Sequence, residues 1–145
     1  MIEILAAIEG NALAQHLRAS RWTYPLVNAG HLLGIALLVG AVVPMDLRAL
    51  GAVGGPGTVA LTRFLRRFAV AGLILAATCG VLLFIAQAGD YVGNGWFRAK
   101  MVLLALALAN AAWHLRAAPL PGRAALASLL LWPAILVCGR MIGYS

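Results

Sequence analysis

The chain has 145 residues, 63% of them apolar and only 10% charged. Soluble domains carry about 25% charged residues, so this one has too few to clothe a water-facing surface, and a mean hydropathy of +0.96 points to a bilayer instead. The net charge of +7 does not indicate nucleic acid: the eleven Lys and Arg residues stand at the ends of apolar runs, where lipid headgroups meet them, and no basic stripe interleaves with aromatics.

At this length one domain is expected, made of an N-terminal segment at 1–21 and a transmembrane part at 22–145. The opening MIEILAAIEG carries acids where a signal peptide carries bases, so no cleavable leader is expected. Asn11 is placed to cap a short helix on which Leu13 and Leu17 oppose Asn11, Gln15 and Arg18. That pattern predicts a helix lying in the membrane interface, preceded by a less regular apolar stretch.

Four apolar runs follow. The first, 24–45, lies between Arg21-Trp22 and Asp46-Leu47-Arg48, and its 22 residues suffice for roughly 30 Å of hydrocarbon. The second, 68–88, holds no charge and is preceded by Arg63, Arg66 and Arg67. The third, 96–115, passes Arg98 and Lys100 near its start, and the fourth, 124–142, carries Pro133 in its middle, where a kink is expected. Gly51 to Gly57, Gly89 to Gly95 and Ala117 to Arg123 read as turns. The fold class is therefore all-α: an integral membrane four-helix bundle with a short N-terminal interfacial helix.

Cys79 and Cys138 both fall inside apolar runs, as small buried hydrophobes do, and not as a disulfide would. The side holding Arg48, Arg63, Arg66, Arg67, Arg116 and Arg123 outnumbers the other by six bases to five. With the cluster at 63–67 beside the most apolar run, the positive-inside rule places both termini outside. Gly30 and Gly34 in the first run and Gly72, Ala76 and Gly80 in the second have the small-xxx-small spacing that brings helix backbones close in lipid, so these two helices should pack tightly.

Function in such a chain belongs to its few intramembrane polar groups, since each is costly in hydrocarbon. Asn28 and His31 share a face of the first run and are close enough in sequence to touch. His31 reads either as a ligand or as an interhelical hydrogen-bonding group that holds helices together. Lys100, Asn110 and His114 share a face of the third run; Lys100 reads as a snorkelling interface residue or as part of a pocket. His31 lies roughly 13 Å and His114 roughly 27 Å from the same side at 1.5 Å per residue, too far apart in depth to share one iron. His16 is the better partner for His31, provided that its helix folds over the outer end. Met101, Cys138 and Met141 project near the same end as His31, a soft donor set suited to Cu(I).

The run Tyr24-Pro25-Leu26-Val27-Asn28-Ala29-Gly30-His31-Leu32-Leu33-Gly34, then Gly40 and Asp46-Leu47-Arg48, resembles a family of small uncharacterised bacterial membrane proteins. The resemblance continues through Gly80 to Phe84, Asn94, Phe97, Lys100 and Asn110, and covers 20–114. That family is often acidic where this chain has Asn28. More distantly, the pattern is similar to the copper-resistance D membrane proteins and the HemJ-type protoporphyrinogen oxidases, which pair an early histidine with a lysine opening a later helix. The resemblance implies that His31 ligates haem or a metal and that Lys100 is its functional partner. The HemJ pattern expects a second histidine where this chain has Asn110 and Ala111, which counts against protoporphyrinogen oxidation.

The sequence thus leads to a multi-pass protein of the bacterial inner membrane, with lipid as its environment and a homo-oligomer or larger membrane complex as its possible assembly. Haem b is the favoured cofactor, with His31, Asn28, Lys100, Asn110, His114 and His16 as the candidate residues. Copper on His31, Met101, Cys138 and Met141 is the alternative, and a non-catalytic structural subunit without cofactor is the third reading.

Overall fold

The structure is a computed structural model that describes residues 2–53, 59–116 and 122–145, the side chains of 2, 59, 60 and 114–116 excepted. The described residues hold helices and no strand. Four segments are long and apolar enough to cross a membrane: Thr23–Ala49, Leu61–Ala86, Gly95–Trp113 and Gly122–Tyr144. They belong to α3 (Thr23–Ala49), α4 (Val59–Ala86), α6 (Gly95–Arg116) and α7 (Gly122–Met141), the last closed by a 3-10 turn at Ile142–Tyr144. The smaller helices α1 (Ile2–Gly10), α2 (Ala12–Ala19) and α5 (Ala88–Gly93) gather at one end, called the upper end here.

The all-α four-helix architecture is as expected, with three local differences. Residues 2–10 form a regular helix where a less ordered stretch was expected. The second run, expected to reach 88, ends with α4 at Ala86, and Ala88–Gly93 forms the separate α5, most of it where a turn was expected at Gly89 to Gly95. The helix of the first run continues past Met45 to Ala49, because Met45-Asp46-Leu47-Arg48-Ala49 contains no breaker, and this extra turn carries Asp46 into the protein at 4% exposure. Gly51, at a φ of +74°, follows the end of α3 in the left-handed conformation that glycine adopts freely. The remainder of the glycine-rich turn, at 54–58, and the prolines Pro119 and Pro121 lie outside the described residues. Helix α7 runs through Pro133 without interruption, with that residue on an exposed face.

Helix α3 packs most closely on α4, and α7 lies against both α6 and α3. The core is formed by Leu38, Ala41 and Val42 of α3, Ala69 of α4, Ala107 of α6, and Trp132 and Ile135 of α7. Helices α4 and α6 meet near the upper end, where Phe84 stacks on Phe97 at 5.6 Å between ring centroids. Leu32, Ile74, Val102 and Leu130 are each more than half exposed on the outer faces. Apolar outward faces on helices of this length are what lipid contact requires, since acyl chains solvate leucine as well as a core does.

The tight α3–α4 contact follows from the glycines. A Cβ at Gly34 would collide with the backbone nitrogen of Ala76 and come within 2.8 Å of the Gly72 carbonyl. A Cβ at Gly72 would stand 2.6 Å from the Leu38 nitrogen and 2.7 Å from the Gly34 carbonyl. Each glycine is therefore the site where the other helix passes.

The N-terminal helices are fastened to the end of α4 and the start of α5 by two charged side chains. Asn11 caps α2, its Oδ1 accepting the Ala14 N–H at 2.8 Å, as the sequence indicated. Arg18 donates to the Ala86 carbonyl at 2.7 Å and to the Glu9 carbonyl at 2.6 Å, while the Glu9 carboxylate accepts the Gly89 N–H at 2.7 Å. These bonds meet a carbonyl orphaned at the end of α4 and an amide orphaned in the first turn of α5. Ala14, Leu17, Ala86 and Ala88, on the helices joined by these bonds, are almost fully buried. Leu17 is thus on the buried face of α2, whereas Leu13, expected to accompany it, is 47% exposed.

Candidate functional site

The intramembrane polar residues divide into an upper and a lower group. In the upper group, His31 of α3 points at α4. Its Nδ1 donates to the Ala76 carbonyl at 2.7 Å, and its ring lies beside Gly80, with Cε1 3.1 Å from where a Cβ would stand. A carbonyl can only accept, so the neutral ring carries its proton on Nδ1 and keeps the Nε2 lone pair free. The acceptor that orients the ring is therefore a backbone carbonyl of α4, where the sequence suggested Asn28, and Asn28 itself is exposed.

Lys100 of α6 lies within electrostatic range of the His31 ring and of the Cys138 thiol. Its stem crosses Gly139 of α7: Cδ, Cε and Nζ are 3.8, 3.6 and 3.3 Å from where a Cβ at that glycine would be. The lysine therefore turns into the α6–α7 interface instead of snorkelling away from it. Among the described residues no carboxylate or carbonyl accepts from its ammonium.

The other sequence candidates do not join this group. Met101 is 46% exposed. Cys138 is buried and Met141 half-buried. His16 is exposed on α2 and makes no hydrogen bond with His31. Among the described residues no three His, Cys, Asp or Glu side chains gather around one point.

At the lower end Asn110 donates to the Ala124 carbonyl at 3.0 Å, tying α6 to the start of α7. His114 lies fourteen residues beyond Lys100 on α6, about 21 Å along the axis, and its side chain is outside the described set. Asp46 is buried at the same lower end, a placement that its position beside Arg48 in the sequence did not reveal.

Sequence reasoning also missed a cleft. At the upper end an open depression of about 900 Å³ lies between α3, α5, α6 and the 3-10 turn. Tyr24 donates to Gln87 Oε1 across it at 3.3 Å. Asn94 Oδ1 caps α6 by accepting the Trp96 and Phe97 N–H groups at 2.8 and 3.3 Å, and its Nδ2 donates to Ser145 Oγ at 2.7 Å. Burial first, and then neighbouring Tyr24, push the Tyr91 hydroxyl up to about 12, so this residue stays neutral at any physiological pH. The signal in the sequence was the Asp90-Tyr91 pair inside a segment that reads as a turn.

Four apolar helices, packed together with lipid-type outer faces, define a multi-pass membrane protein. Comparison with protein-family models, with curated proteins and with solved structures finds no match.

Proposed function

We propose that this chain is a small protein of the bacterial inner membrane, both termini periplasmic, that holds a redox cofactor, a b-type haem, through Nε2 of His31. The observation that carries the reading is the Nδ1 bond to Ala76, at 2.7 Å. An imidazole fixed in this way by a backbone carbonyl has its tautomer and direction set for ligation through the other nitrogen. Lys100 supplies an ammonium without an acceptor nearby, suited to a carboxylate such as a haem propionate. The bacterial family resemblance centred on the same histidine supports it as well. Among the described side chains His31 is the imidazole that would hold the group, since His16 is exposed on α2. Copper is less well supported, since Met101 is 46% exposed and the Lys100 ammonium, within electrostatic range of Cys138, opposes a cation there.

A second reading rests on a different observation. Both His31 and Asn110 donate to backbone carbonyls of a facing helix, which is how polar residues join helices in a non-catalytic structural or assembly subunit. His31→Gln and His31→Ala separate the two. If His31 is a ligand, both variants lose the cofactor and remain inserted. If it only joins helices, Gln retains parental stability, Ala does not, and the parent holds no cofactor for either variant to lose.

A further inference from the structure

The cleft at the upper end takes no part in the His31 reading and stands or falls without it. Its volume of about 900 Å³ is ample for a small organic ligand, and it is open to the outside at the upper end of the bundle. Its walls include three aromatic residues, Tyr24, Tyr91 and Trp96, one carboxylate, Asp90, and the neutral polar groups of Gln87 and Asn94. No Lys or Arg lines it, although the chain as a whole carries a net charge of +7. Two bases of the upper end are committed elsewhere: Arg18 to the Ala86 and Glu9 carbonyls, and Arg140 to the Tyr144 hydroxyl at 2.6 Å. Among the described residues no cation is paired with Asp90.

The rings are held in place by their neighbours. Tyr91 packs against Phe97 at 5.2 Å and Phe84 at 6.2 Å between centroids, and Trp96 occupies the first turn of a helix fixed by the Asn94 cap. Rings with negative faces, set around one carboxylate in a site without bases, attract a positive charge. A hard divalent metal favours several acidic side chains around it, and Asp90 is the one acidic side chain in the lining. An alkylammonium needs only one counter-ion and apolar faces for its methyl or methylene groups.

We propose that this cleft binds small organic ammonium groups, of the ethanolamine or choline class, with Asp90 as counter-ion and Tyr24, Tyr91 and Trp96 as the surrounding rings. Such a group reaches the site either as a free solute or as the headgroup of a zwitterionic lipid at the membrane surface.

The test uses the full chain in nanodiscs of phosphatidylglycerol alone, with choline and ethanolamine as probes and saturation-transfer NMR as the readout. Both probes should receive transfer from the protein. Asp90→Asn should weaken their binding about fivefold, in line with the loss of one exposed charge contact, and Trp96→Leu by a similar factor. Asp90 is exposed, so the melting temperature of Asp90→Asn should equal that of the parent. A second set of discs containing phosphatidylethanolamine identifies the source: suppression of the free probe indicates a lipid headgroup, and unchanged binding indicates a solute. Absence of transfer to both probes in the phosphatidylglycerol discs overturns the proposal. So does equal binding by parent and Asp90→Asn, or Asp90-dependent binding of Mg²⁺ with none of either amine.

Discussion

Replacing the glycines of α3 and α4 one at a time by alanine should produce a graded loss of stability, because the same added methyl meets a different obstacle at each position. At Gly34 it meets backbone on two sides, the Ala76 nitrogen and Cα and the Gly72 carbonyl, none of which can rotate away. The helices must separate, and overpacking of this kind costs about 1–3 kcal/mol. Gly72→Ala meets the reciprocal obstacle, the Leu38 nitrogen and the Gly34 carbonyl, and should cost a similar amount. The double variant should cost less than twice either value, since one separation relieves both clashes. At Gly30 the nearest atom is Cys79 Sγ at 3.0 Å, the end of a side chain that can turn, so the loss should be smaller. At Gly40 nothing lies within 4 Å, and alanine should be neutral or stabilising by up to about 1 kcal/mol through its better helix propensity. Unfolding in detergent, followed by tryptophan fluorescence against increasing SDS, gives the series directly. Equal stability for Gly34→Ala and Gly40→Ala would refute the close α3–α4 approach.

Other expected outcomes probe the upper end, the lower end and the orientation. Arg18→Ala removes the donor that ties α2 to α4 and the one that ties α2 to α1, so amide exchange over residues 2–20 should accelerate while global stability falls by only about 1 kcal/mol; unchanged exchange would mean that the Glu9–Gly89 bond and the buried Ala14 and Leu17 suffice. Asn110→Ala should cost about 0.6 kcal/mol, the usual worth of a polar contact between membrane helices, and a loss above about 2 kcal/mol would point to a further role. With both termini outside, Gly93→Cys should react with an impermeant thiol reagent added to intact cells. Labelling that requires permeabilised cells would reverse the orientation.

Much of this architecture was legible because hydrocarbon imposes a simple rule: every span must be long, apolar and internally hydrogen-bonded. Tyr24 to Met45 lies wholly within α3, and the small-residue rows at Gly30, Gly34 and Gly72 identified which two helices would meet most closely. Boundaries were less legible, because polarity ends a hydrophobic run without ending a helix. Asp46 and the Arg63–Arg67 cluster are charged yet helical, so α3 extends further and α4 starts earlier than the apolar runs do. His31 could be singled out from the sequence but its partner could not: backbone carbonyls carry no sequence signature, and the acceptor is Ala76, 45 positions away. The inward path of Lys100 depends on the missing side chain of Gly139 on another helix, which no pattern within α6 could reveal. The ammonium cleft depends on the folding of residues 87–94 into a short helix against α3 and α6, a tertiary result that local turn signals do not contain.

The most direct test of the account is a reduced-minus-oxidised absorption spectrum of the chain purified in mild detergent from bacterial membranes, with iron determined on the same sample. The account predicts a Soret band and b-type visible bands with about one iron per chain, lost in His31→Gln at parental yield of membrane-inserted protein. A colourless parent without iron would contradict it and leave His31 as a helix-joining residue.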